Sequence, residues 1–160
     1  MKTVEASRKS SESIDDYLKA ILALGGSAER RVQSKELAAR LSVAPASITN
    51  MLQRLAAERQ PLVAYQRHKG VTLSAAGKKR ALEIVRHHRL IETFLHKILD
   101  YPVNKVHDEA ERLEHFISEE FEERIAAKLG DPQIDPHGRC IPRLDGSMPT
   151  AHGPNCQCGN

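Results

Sequence analysis

Ile14, Leu18, Ile21 and Leu22 recur at the spacing of a helix that buries one face. Ser13-Ile14-Asp15-Asp16 has the form of its start, and Gly25-Gly26 ends the run. A short helix is predicted over Lys35 to Leu41, capped by Ser34, with Leu37, Ala38 and Leu41 facing inward. The tight link Ser42-Val43-Ala44-Pro45 leads into a helix from Ala46 to Ala57 that turns Ile48, Leu52 and Leu55 to one side. Two short extended runs follow, Leu62 to Tyr65 and Val71 to Leu73, joined by the basic turn Gln66-Arg67-His68-Lys69-Gly70, which reads as a hairpin. Ser74 can cap a long helix from Ala75 to Leu99. Further helices are predicted over Val103 to Ile117 and Ser118 to Leu129, and Gly130-Asp131-Pro132 stops the last. Five of the eight prolines and five of the nine glycines fall from Gly130 onward, which predicts a fixed loop to about Pro142 and then a flexible tail. There is no internal repeat.

The pattern is mostly α, and its first half has the order of a winged helix-turn-helix: two short helices, a tight link, then a basic hairpin. The composition narrows the partners. Residues 1–102 carry 18 Lys and Arg against 10 Asp and Glu, whereas residues 103–131 carry 4 against 9. A basic front half points to a polyanion, nucleic acid before membrane, and the acidic segment invites a cation. No run of 18 apolar residues exists, so no membrane span is expected. The first twelve residues lack the apolar stretch of a secretory signal. Three cysteines, an odd number, argue against a disulfide framework and for a reducing, cytoplasmic home. Aromatic residues make up 4% with no Trp, which disfavours stacking on single-stranded nucleic acid.

On the helix from Ala46, Ser47, Asn50 and Arg54 share a face away from the apolar one, with Thr49 and Gln53 beside them. Small polar groups and an arginine can reach base edges and phosphates in a major groove. Arg67, His68 and Lys69 at the hairpin tip can meet phosphate or the minor groove. The same residues would also serve simply to solvate an exposed face.

The acidic half carries a second pattern. His88 and Glu92 lie one turn apart on the long helix. His107, Glu111 and Glu114 lie at i, i+4 and i+7 on the next, with His115 flanking, beside the apolar stripe Val106, Ala110, Leu113, Ile117. Carboxylates gathered beside an apolar stripe repel one another and lose hydration, and a divalent cation removes both penalties. Against this stand plainer readings. His88 sits in the stripe Ile84, His88, Ile91, Leu95, Ile98 and can be a hydrogen-bonded core residue. Glu111 and Glu114 can be a solvated face, and Asp16 can cap the first helix.

Together these residues resemble the diphtheria-toxin-repressor family of metal-dependent transcriptional repressors, most of all its manganese transport regulators. The resemblance covers about 14–144. It rests on Ile14-Asp15-Asp16-Tyr17-Leu18, Leu37-Ala38-Ala39-Arg40-Leu41, His88-Arg89-Leu90-Ile91-Glu92, the run from Val106 to His115, and the loop from His137-Gly138 to Ile141-Pro142. It implies a winged helix-turn-helix DNA-binding domain over 1–74, a helical metal-binding and dimerisation domain over 75–144, and a flexible tail over 145–160 with no SH3-like domain. It implies a homodimer that binds a palindromic double-stranded DNA operator when loaded with Mn²⁺ or Fe²⁺ as co-repressor, and represses metal-uptake genes. Asp16, Glu111, Glu114 and His115 match the family's primary metal site. His88, Glu92 and His107 match its ancillary site, whose shell water would complete. The DNA contacts fall on Ala46, Ser47, Asn50 and Arg54, with Arg67 and Lys69 added from the hairpin tip.

Iron-responsive members tend to have Cys and Met where this chain has Glu111 and Asp16, so the donor set is oxygen-rich and suits Mn²⁺ while tolerating Fe²⁺. Lys19 stands where manganese members often carry Glu. Its ammonium opposes a neighbouring cation, which speaks against a binuclear arrangement and leaves two separate sites open. Cys140, Cys156 and Cys158 can bind Zn²⁺ together or can be exposed thiols. Two other functions remain to be separated from this one: a metal-independent winged-helix regulator, and a metalloenzyme. The second has no H-E-x-x-H and no nucleophile motif, so no enzyme is expected.

Overall fold

The computed structural model describes residues 2–25 and 30–149, with side chains from Ser13 onward. The chain divides into two compact units, Met1–Ala81 and Leu82–Asn160.

The first unit opens with helix α1 (Lys2–Gly25). The helix begins well before Ser13, because no Gly or Pro interrupts residues 2–24. Ser13 and Asp16 therefore lie inside a helix, and Asp16 is not a cap. Helix α2 (Ser34–Leu41) starts one residue earlier than expected, with Gln33 rather than Ser34 at the cap position. The Gln33 backbone N–H donates to Glu36 Oε2 at 2.7 Å, and the Arg30 guanidinium pairs with the other oxygen of Glu36 at 2.8 Å. Ser42, with φ of 55°, ends α2 and lets the chain turn into α3 (Pro45–Ala57). Proline in the first turn of α3 loses no hydrogen bond there.

Strands β1 (Val63–Gln66) and β2 (Gly70–Leu73) pair antiparallel, with Val63 opposite Leu73 and Gln66 opposite Gly70. Val32 joins the far side of β2 through two backbone hydrogen bonds with Val71, at 2.8 and 2.9 Å. Leu18, Val32, Leu37, Ile48, Leu52, Leu55 and Val71 are fully buried at the centre of this unit. Each such aliphatic side chain contributes roughly 1.5–3 kcal/mol by leaving water. Helix α4 (Ala75–Leu99) starts as expected: the Ser74 hydroxyl accepts from the Gly77 N–H at 3.1 Å. Gly77 is fixed by contact, since a Cβ there would sit 1.9 Å from the Leu62 carbonyl oxygen.

The second unit holds most of α4, α5 (Val103–Leu113), α6 (Glu119–Lys128) and a long loop. Helix α5 is shorter than its periodicity predicts. It ends at Leu113, and residues 114–116 form a turn. Of the apolar stripe, Leu113 is exposed, whereas Ile117 beyond the turn still packs half-buried against Ile91, Leu95, Val106 and Ala110. Ile98, the last member of the α4 stripe, is exposed as well. Ser118 lies just before α6 and caps it, accepting from the Phe121 N–H at 3.2 Å. Ile91, Leu95, Val106 and Ala110 pack α5 on α4. Leu90, Ile125, Ala126 and Ile141 pack α6 and the loop on α4.

Cys140 is disulfide-bonded and buried. That corrects two expectations, because a disulfide sulfur is not the thiolate that Zn²⁺ takes, and because the odd cysteine count did not exclude a bridge. Cys156 and Cys158 lie outside the described residues, as does the predicted tail beyond residue 149. Among the described residues no helix is long and apolar enough to cross a membrane.

Candidate metal centre

The second unit buries an unusual amount of charge. His88, Glu92 and Glu114 are 5%, 0% and 1% exposed. Helix α4 supplies His88 and Glu92, one turn apart on its inward face. Helix α5 supplies His107 and Glu111, and the turn after it supplies Glu114 and His115. Glu114 still has helical backbone angles and donates its N–H to the Ala110 carbonyl at 3.0 Å, so it lies one turn beyond Ala110 and meets α4 from there.

His88 is the hub. Its Nδ1 lies 2.6 Å from Glu114 Oε2 and 3.6 Å from Glu111 Oε1. Its Nε2 lies 2.9 Å from Glu92 Oε1 and 3.1 Å from His107 Nδ1. His107 Nδ1 is also 3.2 Å from Glu92 Oε1, and the two imidazole rings meet edge-on with centroids 4.9 Å apart. His115 Nε2 lies 3.4 Å from Glu114 Oε1. Burial alone would lower the His88 pKa, but Glu114 and Glu92 outweigh it and raise the pKa above its ordinary value. Burial likewise pushes Glu92 up, while His88, Arg139 and His107 hold it well below the usual carboxylate range.

Three donor sets result within the second unit. His88, Glu92 and His107 offer ligand atoms within 4.8 Å of one another, and so do His88, Glu111 and Glu114, and Glu92, Asp135 and His137; in the third, the Arg139 guanidinium already spans the two carboxylates. Ligand atoms bound at about 2.1 Å in an octahedron are about 3 Å apart along an edge, close to the 2.9, 3.1 and 3.2 Å of the first set; in the second, His88 Nδ1 lies 2.6 Å from Glu114 and 3.6 Å from Glu111. Nitrogen and carboxylate oxygen without thiolate suit a borderline-to-hard divalent ion such as Mn²⁺ or Fe²⁺. The residues therefore fit a metal. The sequence pattern assigned His88 to Glu92 and His107, and the structure brings it equally against Glu111 and Glu114. Asp16, the remaining expected ligand, is half-buried on α1 of the first unit.

In the first unit, Ala46, Ser47, Asn50, Gln53 and Arg54 are exposed along α3, opposite the buried Ile48, Leu52 and Leu55. Thr49 turns its hydroxyl back to the Pro45 carbonyl at 3.2 Å. Arg67 and Lys69 are exposed at the hairpin tip, where His68 and Gly70 take positive φ.

The profile of the iron-dependent repressor N-terminal DNA-binding domain matches residues 9–71, and that of the family's metal-binding and dimerisation domain matches residues 74–143. The chain belongs to the iron-dependent repressor family. It is 36% identical to the diphtheria toxin repressor of Corynebacterium diphtheriae over 68% of this chain and 47% of that protein. It is 35% identical to an HTH-type transcriptional regulator of Methanocaldococcus jannaschii over 72% of this chain and 90% of that protein. Among solved structures, a manganese-dependent transcriptional repressor in complex with manganese is 45% identical, with a TM-score of 0.77 over 86% of this chain and 62% of that chain. ScaR with bound Zn²⁺ is 36% identical, with a TM-score of 0.74 over 88% of this chain and 64% of that chain. The chain thus spans about half the length of the diphtheria toxin repressor.

The resemblance read from the sequence is therefore correct at the level of the iron-dependent repressor family and its fold, a mostly helical chain with a two-stranded wing. The diphtheria toxin repressor and the manganese-dependent transcriptional repressor are named as repressors, and the archaeal relative as a transcriptional regulator.

Several residues that shape the centre were not singled out from the sequence. His87, beside His88, is buried and lies 3.0 Å from Glu122 Oε2, while its other nitrogen faces the Glu114 carbonyl at 3.1 Å. Arg86 pairs with the other oxygen of Glu122 and donates to the Pro142 carbonyl at 2.8 Å. Asp135 and Arg139, on the loop after α6, reach back to α4. Asp135-Pro136-His137-Gly138 does signal a turn, but nothing local in it says which helix the loop will return to.

Proposed function

We propose that this chain is a metal-dependent, DNA-binding transcriptional regulator of the cytoplasm. It represses metal-uptake genes by binding a palindromic operator as a homodimer when loaded with Mn²⁺ or Fe²⁺. The observation that carries the reading is the pair of donor sets meeting at His88, in a chain whose other unit bears an exposed polar helix and a basic wing. Both halves of a metal-gated DNA reader are present.

In this reading residues 1–74 bind DNA, through Ala46, Ser47, Asn50 and Arg54 on α3 and Arg67 and Lys69 on the wing. Residues 75–144 bind metal and dimerise. His88, Glu92 and His107 hold the ancillary ion. Glu111, Glu114 and His115, joined by Asp16 from α1 on the family resemblance, hold the primary ion. Lys19 keeps the two sites separate rather than binuclear. The exposed apolar residues Ile98, Leu99, Leu113, Phe116 and Phe121 support dimerisation, since such side chains are normally covered.

A bound divalent ion supplies the charge that lets these carboxylates stay ionised at close quarters. Because Asp16 belongs to the helix that also builds the DNA-binding core, satisfying it fixes the DNA-binding unit in one arrangement. Two recognition helices then match successive turns of a major groove. Metal and operator binding are reciprocally coupled, by about 5- to 150-fold in affinity. The test is fluorescence anisotropy with a duplex selected from a random pool in the presence of Mn²⁺. Binding should weaken at least several-fold when Mn²⁺ is chelated. Equal affinity in chelator and in micromolar Mn²⁺ rejects the switch and leaves a metal-independent regulator.

A further inference from the structure

Two carboxyl side chains on different elements, Glu92 of α4 and Asp135 of the loop, have no exposed side-chain surface at all. Buried carboxylates need a cation or several donors. Arg139 is that cation. Its Nη2 donates to Glu92 Oε2 at 2.7 Å and its Nε donates to Asp135 Oδ2 at 2.8 Å, so one planar fork spans both acids. Asp135 is itself fixed. Its Oδ1 accepts the backbone N–H groups of His137 and Arg139, at 2.8 and 2.9 Å. Its own N–H donates to the Arg139 carbonyl at 2.9 Å, and a backbone bridge between Ile134 and Cys140 closes the loop's base.

The consequence falls on Glu92. Its two oxygens are divided: Oε2 is taken by Arg139, and Oε1 alone faces His88 Nε2 at 2.9 Å and His107 Nδ1 at 3.2 Å. We propose that Arg139, clamped by Asp135, is a positioning residue that presents a single oxygen of Glu92 to an ion held by His88 and His107. This rests on the reading that these three residues bind a divalent cation. The guanidinium, bound to Oε2, stops the carboxylate from rotating to offer both oxygens. His137, with Nδ1 3.3 Å from Arg139 Nη2 and 3.5 Å from Glu92 Oε2, lies on the far side of that carboxylate from the histidine pair.

Outer partners of metal ligands typically set about 10- to 100-fold in metal affinity. The test is calorimetric titration of the full chain with Mn²⁺ alone. Arg139→Ala should lower the affinity of one binding event at least tenfold and leave the other unchanged. Arg139→Lys, which has the charge without the fork, should recover part of the loss. Asp135→Asn keeps the oxygen that accepts the two loop N–H groups and removes only the charge that holds the arginine. It should weaken the same event, and it carries the test if Arg139→Ala fails to fold by circular dichroism. In a Glu92→Gln background Arg139→Ala should have no further effect, since the residue it positions has already lost its charge. Unchanged or tighter Mn²⁺ binding in Arg139→Ala and Asp135→Asn overturns this inference alone, and so does an undiminished Arg139→Ala effect in Glu92→Gln. A wild-type chain that binds no Mn²⁺ overturns it together with the metal reading beneath it.

Discussion

Helix α3 and the cluster around His88 both present polar side chains in a functional pattern, but they are built in opposite ways. On α3, Ser47, Asn50 and Arg54 stand on the face away from Ile48, Leu52 and Leu55, so they are no part of that unit's apolar core. Around His88 the polar side chains are themselves the packing. His87, His88, Glu92, Glu114, Glu122 and Asp135 are buried and hold one another across α4, α5, the turn, α6 and the loop. A reading surface can vary residue by residue without cost to the scaffold. A buried polar cluster cannot, because each member left alone is an uncompensated charge in a poor solvent for charge.

That contrast is sharpest where a buried acid has no expected role as a ligand. Glu122→Ala strands Arg86 and His87 together, and should destabilise the metal-free protein by about 3–5 kcal/mol in a urea titration. A loss under 1 kcal/mol would show that the cluster is looser than its distances imply.

Acid should separate the two units next. For Glu122, burial works against ionisation, but His87 and Arg86 hold its carboxyl below the ordinary 4.5; Glu92 is held below as well. Groups with depressed pKa values contribute stability that is complete above the unfolded value and is lost as pH falls through the folded one. In the first unit Glu36, pushed down to about 2 by Arg30 and the Gln33 N–H, lies on the surface and contributes little. Between pH 5 and pH 2 the metal-free second unit should therefore lose hydrogen-exchange protection before the first does. The reverse order would break the comparison.

The smallest stability effect belongs to the reading surface. Arg54→Ala should change unfolding free energy by no more than about 0.5 kcal/mol. The same change should weaken binding to the Mn²⁺-selected duplex by about 1–3 kcal/mol and leave Mn²⁺ affinity intact. A variant that binds the duplex as wild type does would remove Arg54 from the DNA contacts.

The same contrast explains what the sequence made legible. Winged-helix elements follow from local rules, namely spacing of three to four, a proline at a helix entrance and a glycine in a turn. They were placed to within a residue or two from Ser34 to Leu73. Helix α1 was misplaced at its start because the Ser13-Ile14-Asp15-Asp16 pattern imitates a cap in the middle of an unbroken helix. In the second unit the pattern revealed His88, Glu92, His107 and the acids after them, because one-turn spacing is local too. It hid the premature end of α5 at Leu113, and it did not show that Glu114 would meet His88 across the two helices. It hid the roles of Asp135 and Arg139, since Arg139 takes its meaning from Glu92, 47 positions earlier in the chain, and Asp135 from Arg139.

The imidazole of residue 88 has two nitrogens and, in its neutral form, one proton to share between them. Each nitrogen looks out on a different neighbourhood, Glu114 on one side and Glu92 with His107 on the other. Committing one lone pair obliges the remaining N–H to point the opposite way. Whatever settles first in either neighbourhood thus chooses the tautomer that the other must live with.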